Sequence, residues 1–276
     1  MQMYEWIASA VIGTPLERPA EGLRWLKGWP ARLRNPGPRE IYLEGARTAR
    51  LMKAAITDGM NCIDVGCHLG SVLQKIVELS PRGRHIAVEP IPYKAAWLRQ
   101  KFPAVDVHQV ALGEEEGPAE FFFNPRQSGF SGLKAHHPTG NTNKITVACK
   151  RLDDLVPADR PIGFMKVDVE GGEYSALRGA SRIVTGSRPV ILFECTNSGI
   201  VSFGVSAGQV FALFKDELGY RIYLIKDWLA GAPPLSLSEF EASMVYPFKA
   251  FNYVASHRDR PPASPESGRE VRDAHR

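Results

Sequence analysis

At 276 residues, with 44% hydrophobic and 23% charged side chains, the chain has the make-up of a folded protein with a sizeable core. Its formal charge of +4 is small and the basic residues are dispersed, so no nucleic-acid partner is expected. No apolar run reaches the length of a membrane span, and the N-terminus lacks the layout of a signal peptide. The four cysteines (Cys62, Cys67, Cys149, Cys195) have no metal-ligand spacing, and a reduced, cytoplasmic protein is expected.

Residues 1–38 read as an extension. Met3, Trp6, Ile7, Ala10 and Val11 have helical spacing, while Trp25, Leu26, Trp29 and Leu33 are mixed with Arg24, Lys27, Arg32 and Arg34. The second group can be read as a membrane-surface patch. Gly28 and Pro30 interrupt any continuous amphipathic helix, however, so a brace or lid on the main domain is preferred and membrane contact is not expected. The main domain is placed at residues 39–257, opening with a helix over 39–57. Residues 258–276, with Pro, Ser, Gly and mixed charge, read as a disordered tail.

In residues 61–71 a short apolar run (Cys62, Ile63, Val65) breaks at Gly66 and Gly70. From there Val72, Leu73, Ile76, Val77 and Leu79 take helical spacing. The pattern is strand, glycine turn, helix, where a ligand can approach the backbone and free N–H groups favour a negative group. Glu89 closes a second apolar run at 85–88. An acid in that place can accept both hydrogen bonds of a ribose diol, so the unit reads as an adenosine site.

Further along, Pro92 starts a helix that ends before Pro103, and residues 105–112 and 119–123 read as strands. Residues 124–143 form a long loop containing His136 and His137. No Asp, Glu or Cys stands nearby to complete a metal site, and no metal is assigned. Residues 144–150 alternate as a strand, and 162–167 form a buried strand delivering Asp168 and Glu170 to the carboxyl end of the sheet. A helix over 173–183, a strand at 189–194 ending in Glu194, a helix over 206–218 and strands at 220–225 and 252–255 complete the domain. Glu89, Asp168 and Glu194 thus close three strands and imply one cleft above them.

Two cofactors suit such a cleft, NAD and S-adenosyl-L-methionine (SAM). A dinucleotide fingerprint places a second glycine where this chain has His68, and Asp64 stands beside the turn, badly placed for a pyrophosphate but well placed for a methionine amino group. Both features favour SAM. The runs "CIDVGCHLG", "AVEPIPYKAAWL", "VALGEEEG", "KRLDDL", "GFMKVDVEGGEYSALRGA" and "RPVILFE" resemble, in order and spacing, the FkbM-type family of SAM-dependent methyltransferases. The resemblance implies an α/β, class I methyltransferase fold: a Rossmann-like, seven-stranded, mostly parallel sheet with helices on both faces. It also implies O-methylation of a hydroxyl on a sugar, glycan or natural-product metabolite. By the same resemblance Asp64, Gly66 and Gly70 fall at the methionine end of SAM, Glu89 on the ribose, and Ala111 with Leu112 near the adenine. Lys166, Asp168 and Glu170 fall on a signature facing the transferred methyl. Cys67-His68 replaces the family's usual Ala-Asn; His68 can take over the amide's hydrogen bond or add a titratable group beside the cofactor, and the first is preferred. Asp168 is the first choice of general base, then Glu170, with His68, His136 and His137 behind. The alternative is a SAM-binding or membrane-surface module without catalysis.

Overall fold

The computed structural model describes Glu5, residues 11–14, Leu16, Pro19, residues 38–124, Gly129, residues 131–135 and residues 142–260. Trp25, Trp29, His136 and His137 lie outside the described residues. A helical turn, Arg39–Tyr42, precedes α1 (Glu44–Ala55). Then follow β1 (Cys62–Val65), α2 (Ser71–Leu79), β2 (Ile86–Val88), α3 (Pro92–Lys101) and β3 (Asp106–His108). Three strands form a small separate sheet: β4 (Ala111–Leu112), β5 (Gly117–Phe123) and β6 (Asn143–Lys150). After α4 (Leu152–Leu155) come β7 (Phe164–Val167), α5 (Glu173–Arg178), α6 (Ser181–Ser187) and β8 (Val190–Glu194). The chain continues through α7 (Asn197–Ser202), α8 (Ala207–Ala212), β9 (Tyr220–Leu224), α9 (Ile225–Leu229), α10 (Leu237–Ser243) and β10 (Asn252–His257).

The main sheet has seven strands in the order β3-β2-β1-β7-β8-β10-β9, and β10 runs antiparallel to both of its neighbours. This is the class I methyltransferase arrangement, mostly parallel with one reversed strand. Its central strands are apolar on both sides because helices cover both faces. Ile63, Val65, Met165, Val167, Ile191 and Phe193 pack into one layer. Cys62, Phe164, Val190 and Leu192 pack into the other. The alternation has a strand's period of two, so Asp64 and Lys166 share the face of Cys62 and Leu192.

Register then assembles one edge of the sheet. Val65 is level with Val88 and with Val167, and Val167 is level with Phe193. The residues that follow, Gly66, Glu89, Asp168 and Glu194, therefore emerge side by side at the carboxyl ends, where open α/β sheets bind ligands.

Several expected boundaries move. Residues 105–112 are not one strand: β3 stays in the main sheet, while β4 leaves it to pair with β6. The helix expected over 173–183 breaks into α5 and α6 around Gly179, where an added Cβ would lie 2.2 Å from the Gly113 carbonyl oxygen. That close crossing bends the chain. The helix over 206–218 gives way to a π-helical turn, Leu213–Glu217. Residues 258–260, assigned to the tail, are tied down instead. The Arg258 amide donates to Gly219 (3.1 Å), and Asp259 pairs with Arg188 at 2.9 Å. At the other end, Tyr93 Oη on α3 donates to Glu5 (3.0 Å) and Lys101 Nζ donates to the Ile12 carbonyl (2.5 Å). Among the described residues, no helix is long and apolar enough to cross a membrane.

Candidate active site

Gly66 begins the site. Its φ is +75°, and a Cβ there would stand 1.8 Å from the Asp168 carbonyl oxygen. Only glycine lets β1 turn away while the end of β7 passes over it. Gly70, at φ +85°, has a different duty: a Cβ would press on Phe102 and Leu98, so it lets α2 dock on α3. Gly70 does not line the cavity above the turn.

That cavity has a volume of about 450 Å³. Gly66, His68, Glu89, Ala111, Leu112, Lys166, Asp168 and Glu170, all expected site residues, are in its wall. His68 adopts the left-handed conformation (φ +53°), which turns its amide N–H onto Glu89 Oε2 at 2.9 Å. Glu89 Oε1 accepts from the Ile91 amide at 3.0 Å. A carboxylate offers about four acceptor positions, so two backbone donors still leave it capacity for a diol. Burial raises the Glu89 carboxyl, against the charge of Lys94, itself only 1% exposed. His68 is pushed down to about 4, by burial and then by Lys94, so its ring is neutral at pH 7.

Asp64 is not in the cavity wall. It is fully buried beneath it and lies level with Lys166 across the β1–β7 pair. Lys166 Nζ is 3.7 Å from Asp64 Oδ1 and 3.1 Å from Asp168 Oδ2, and it donates to the Gly66 carbonyl at 3.1 Å. Burial opposes the ammonium, but Asp168 and Asp64 outweigh that and hold Lys166 above its ordinary range. Thus Asp64 supports the lysine rather than facing a ligand, and Lys166 ties the turn after β1 to the acid after β7.

Glu170 is also left-handed (φ +56°) and lies at the meeting point of two cavities. The second, of about 720 Å³, is bounded by Glu173, Glu194, Thr196, Asn197, Phe248 and Phe251 among others. One carboxylate oxygen from each of Asp168, Glu170 and Glu194 lies within 4.8 Å of the others. Burial, and then the charge of Asp168, pushes Glu170 up to about 8 and Glu194 well above the carboxylate range. Glu173, chiefly by burial, rises to about 7.

Glu194 was expected at the cleft edge but not as a member of this cluster. Glu173 and Lys94 were missed. Glu173 sits three residues after Glu170 in "VEGGE", a spacing that signals a shared turn. Lys94 offers no such signal, since a lysine near a helix start is normally solvated.

The chain is similar to several known proteins. The Methyltransferase FkbM domain matches residues 64–222. Methyltransferase 1 of Beauveria bassiana is 28% identical over 150 residues, which is 46% of this chain and 60% of that protein. The 2-O-methyltransferase NoeI of Sinorhizobium fredii is 24% identical over 144 residues, 46% of this chain and 59% of that protein. The chain therefore spans about three fifths of the length of each. Among solved structures, an FkbM methyltransferase from Methylobacillus flagellatus overlaps at a TM-score of 0.44 and 15% identity, over 74% of this chain and 48% of that one. A TehB-like SAM-dependent methyltransferase from Corynebacterium glutamicum overlaps at 0.40 and 11%, over 86% and 97%. With a family match over more than half its length and the strand order described above, this chain belongs to the FkbM methyltransferase family.

Proposed function

We propose that the chain transfers a methyl group from SAM to a hydroxyl of a sugar, glycan or natural-product metabolite. The observation that carries this reading is the meeting of two cavities at Glu170, beside Asp168. The cavity containing Gly66, His68 and Glu89 suits the cofactor, and the one bounded by Phe248 and Phe251 suits the acceptor.

The fit to the cofactor is a matter of donors and shape. Glu89 keeps acceptor capacity for a ribose diol, Ala111 and Leu112 offer an apolar wall for an adenine, and Gly66 removes the side chain that would block the floor. When bound, the cofactor supplies an electrophilic methyl group carried on a sulfonium.

The protein's part is alignment and proton removal. Two cavities sharing one wall hold the partners in sequence, and alignment of this kind can supply about 7–11 kcal/mol of a barrier. A base beside the acceptor oxygen adds about 100- to 10,000-fold. A carboxyl raised to about 8 is mostly protonated at pH 7, so Glu170 stands behind Asp168 as the base. Asp168, oriented by the 3.1 Å contact with Lys166, is the base in this account.

The second cavity speaks for a hydroxylated ring. Phe248 and Phe251, with centroids 5.2 Å apart, present apolar faces, and Thr196, Asn197 and Ser198 present hydrogen-bonding groups. NoeI is named a 2-O-methyltransferase, which agrees with a hydroxyl acceptor. The test is incubation with SAM and an extract of hydroxylated metabolites, followed by mass spectrometry. A product heavier by about 14 Da is expected; SAM consumption without any methylated oxygen would reject O-methylation.

A further inference from the structure

We propose that Asp168, Glu170 and Glu194 bind one divalent cation, magnesium or manganese, where the two cavities meet. Given the reading above, on which this second step rests, an acceptor hydroxyl completes its coordination.

The donors are oxygens only, which suits hard cations. Oxygens about 2.1 Å from an octahedral magnesium are about 3 Å apart when adjacent and about 4.2 Å when opposite. One oxygen from each of Asp168, Glu170 and Glu194 lies within 4.8 Å of the others, so small side-chain movements bring all three onto a single cation. The three residues come from the ends of β7 and β8 and from the turn between β7 and α5, so the set is anchored in the sheet.

A second observation points the same way. Glu173 is only 3% exposed, and its Oε1 accepts from the amides of Val169 (2.8 Å) and Gly171 (3.2 Å). Its Oε2 meets no hydrogen-bond partner, yet Glu173 borders the same cavity as Glu170 and Glu194. A buried carboxylate oxygen without a partner costs free energy unless something positive or protic faces it. Among the described residues, Lys166 is the cation at ion-pair distance from this group, and it reaches Asp168 rather than Glu170, Glu173 or Glu194. Carboxylates bind a divalent cation in their ionised form, so binding releases whatever protons they hold.

The left-handed backbone at Glu170 fits this role. A non-glycine residue keeps that conformation only where its surroundings enforce it, and here it directs a carboxyl into the junction.

The experiment uses the full chain, freed of metal with a chelator and titrated with Mn²⁺ while free Mn²⁺ is followed by electron paramagnetic resonance. One bound ion per chain is expected. Glu194→Gln and Glu170→Gln should each weaken binding at least tenfold. Both variants keep the side chain's size and take away a buried carboxyl, so their metal-free melting temperatures should match or exceed the wild type, and a cooperative melt of either suffices for the comparison. No loss of the free Mn²⁺ signal at millimolar metal, or binding unchanged in the folded variants, overturns the site. SAM affinity is measured separately by calorimetry without metal. Methyl transfer that continues unchanged in excess chelator would remove the cation from the reaction and leave the methyltransferase reading standing.

Discussion

Replacing Lys166 by methionine keeps the length of the side chain and removes the charge that Asp64 and Asp168 share. Asp64 is fully buried, so its charge would be left without a partner. At the observed 3.7 Å, a pair of unit charges in an effective dielectric of about 20 is worth about 4 kcal/mol, and breaking buried pairs typically costs about 3–5 kcal/mol. Burial already raises the Asp64 carboxyl in the intact protein, so protonation relieves part of the loss and the lower end is expected. The pH dependence has a definite sign. In Lys166→Met the folded state holds the Asp64 proton above the unfolded value of about 3.9. Stability then falls as pH rises from that value through the folded pKa. Urea unfolding should therefore show a larger deficit at pH 7.5 than at pH 5. The double variant Asp64→Asn/Lys166→Met should recover at least about 1 kcal/mol of the loss. A deficit under about 1 kcal/mol that does not change with pH would refute the pairing as the reason for a lysine in this central strand.

Glu89→Ala should weaken SAM binding by about 1.5–3 kcal/mol, or about 10- to 150-fold, by calorimetry; unchanged affinity in a folded variant would remove Glu89 from the site. Gly66→Ala must place a Cβ against the Asp168 carbonyl at positive φ, and a loss of about 2–5 kcal/mol in denaturant unfolding is expected. The carboxyls of Glu170 and Glu173 are raised to about 8 and 7, and Glu194 higher, by burial and mutual charge, with Asp168, Lys166 and Lys94 as charged neighbours. Folded carboxyls above the unfolded value of about 4.3 bind protons that the unfolded chain has lost, so metal-free stability should fall between about pH 5 and 8. A thermal melt that is flat or rising across that window would contradict the clustering.

What could be read from the residues follows from how locally each feature is determined. Gly66, Glu89, Asp168 and Glu194 stand immediately after short apolar runs, and parallel pairing leaves such positions on one edge. The Asp64–Lys166 pair could not be read in this way, because it depends on a register between strands a hundred residues apart. Asp64 was assigned to the ligand on its position in the turn, whereas strand parity sends it under the sheet edge. The departure of β4 into a second sheet has the same origin: it depends on pairing with β6, across the loop. Helix α10 did carry a local signal. Ser236 and Glu239 form a capping box, with Ser236 Oγ accepting from the Glu239 amide and Glu239 reaching back to the Ser236 amide. Most of residues 1–38, expected to form a brace or lid, lies outside the described residues, and within it Glu5 accepts from Tyr93 Oη at 3.0 Å.

The most direct test of the account compares SAM turnover and SAM affinity in the wild type and Asp168→Asn, with an accepted hydroxyl substrate. The substitution keeps the side chain's size and removes its capacity to take a proton. Turnover is predicted to drop at least about tenfold while the dissociation constant for SAM stays within about twofold. Wild-type turnover in Asp168→Asn, or a wild-type chain that does not bind SAM, would contradict it.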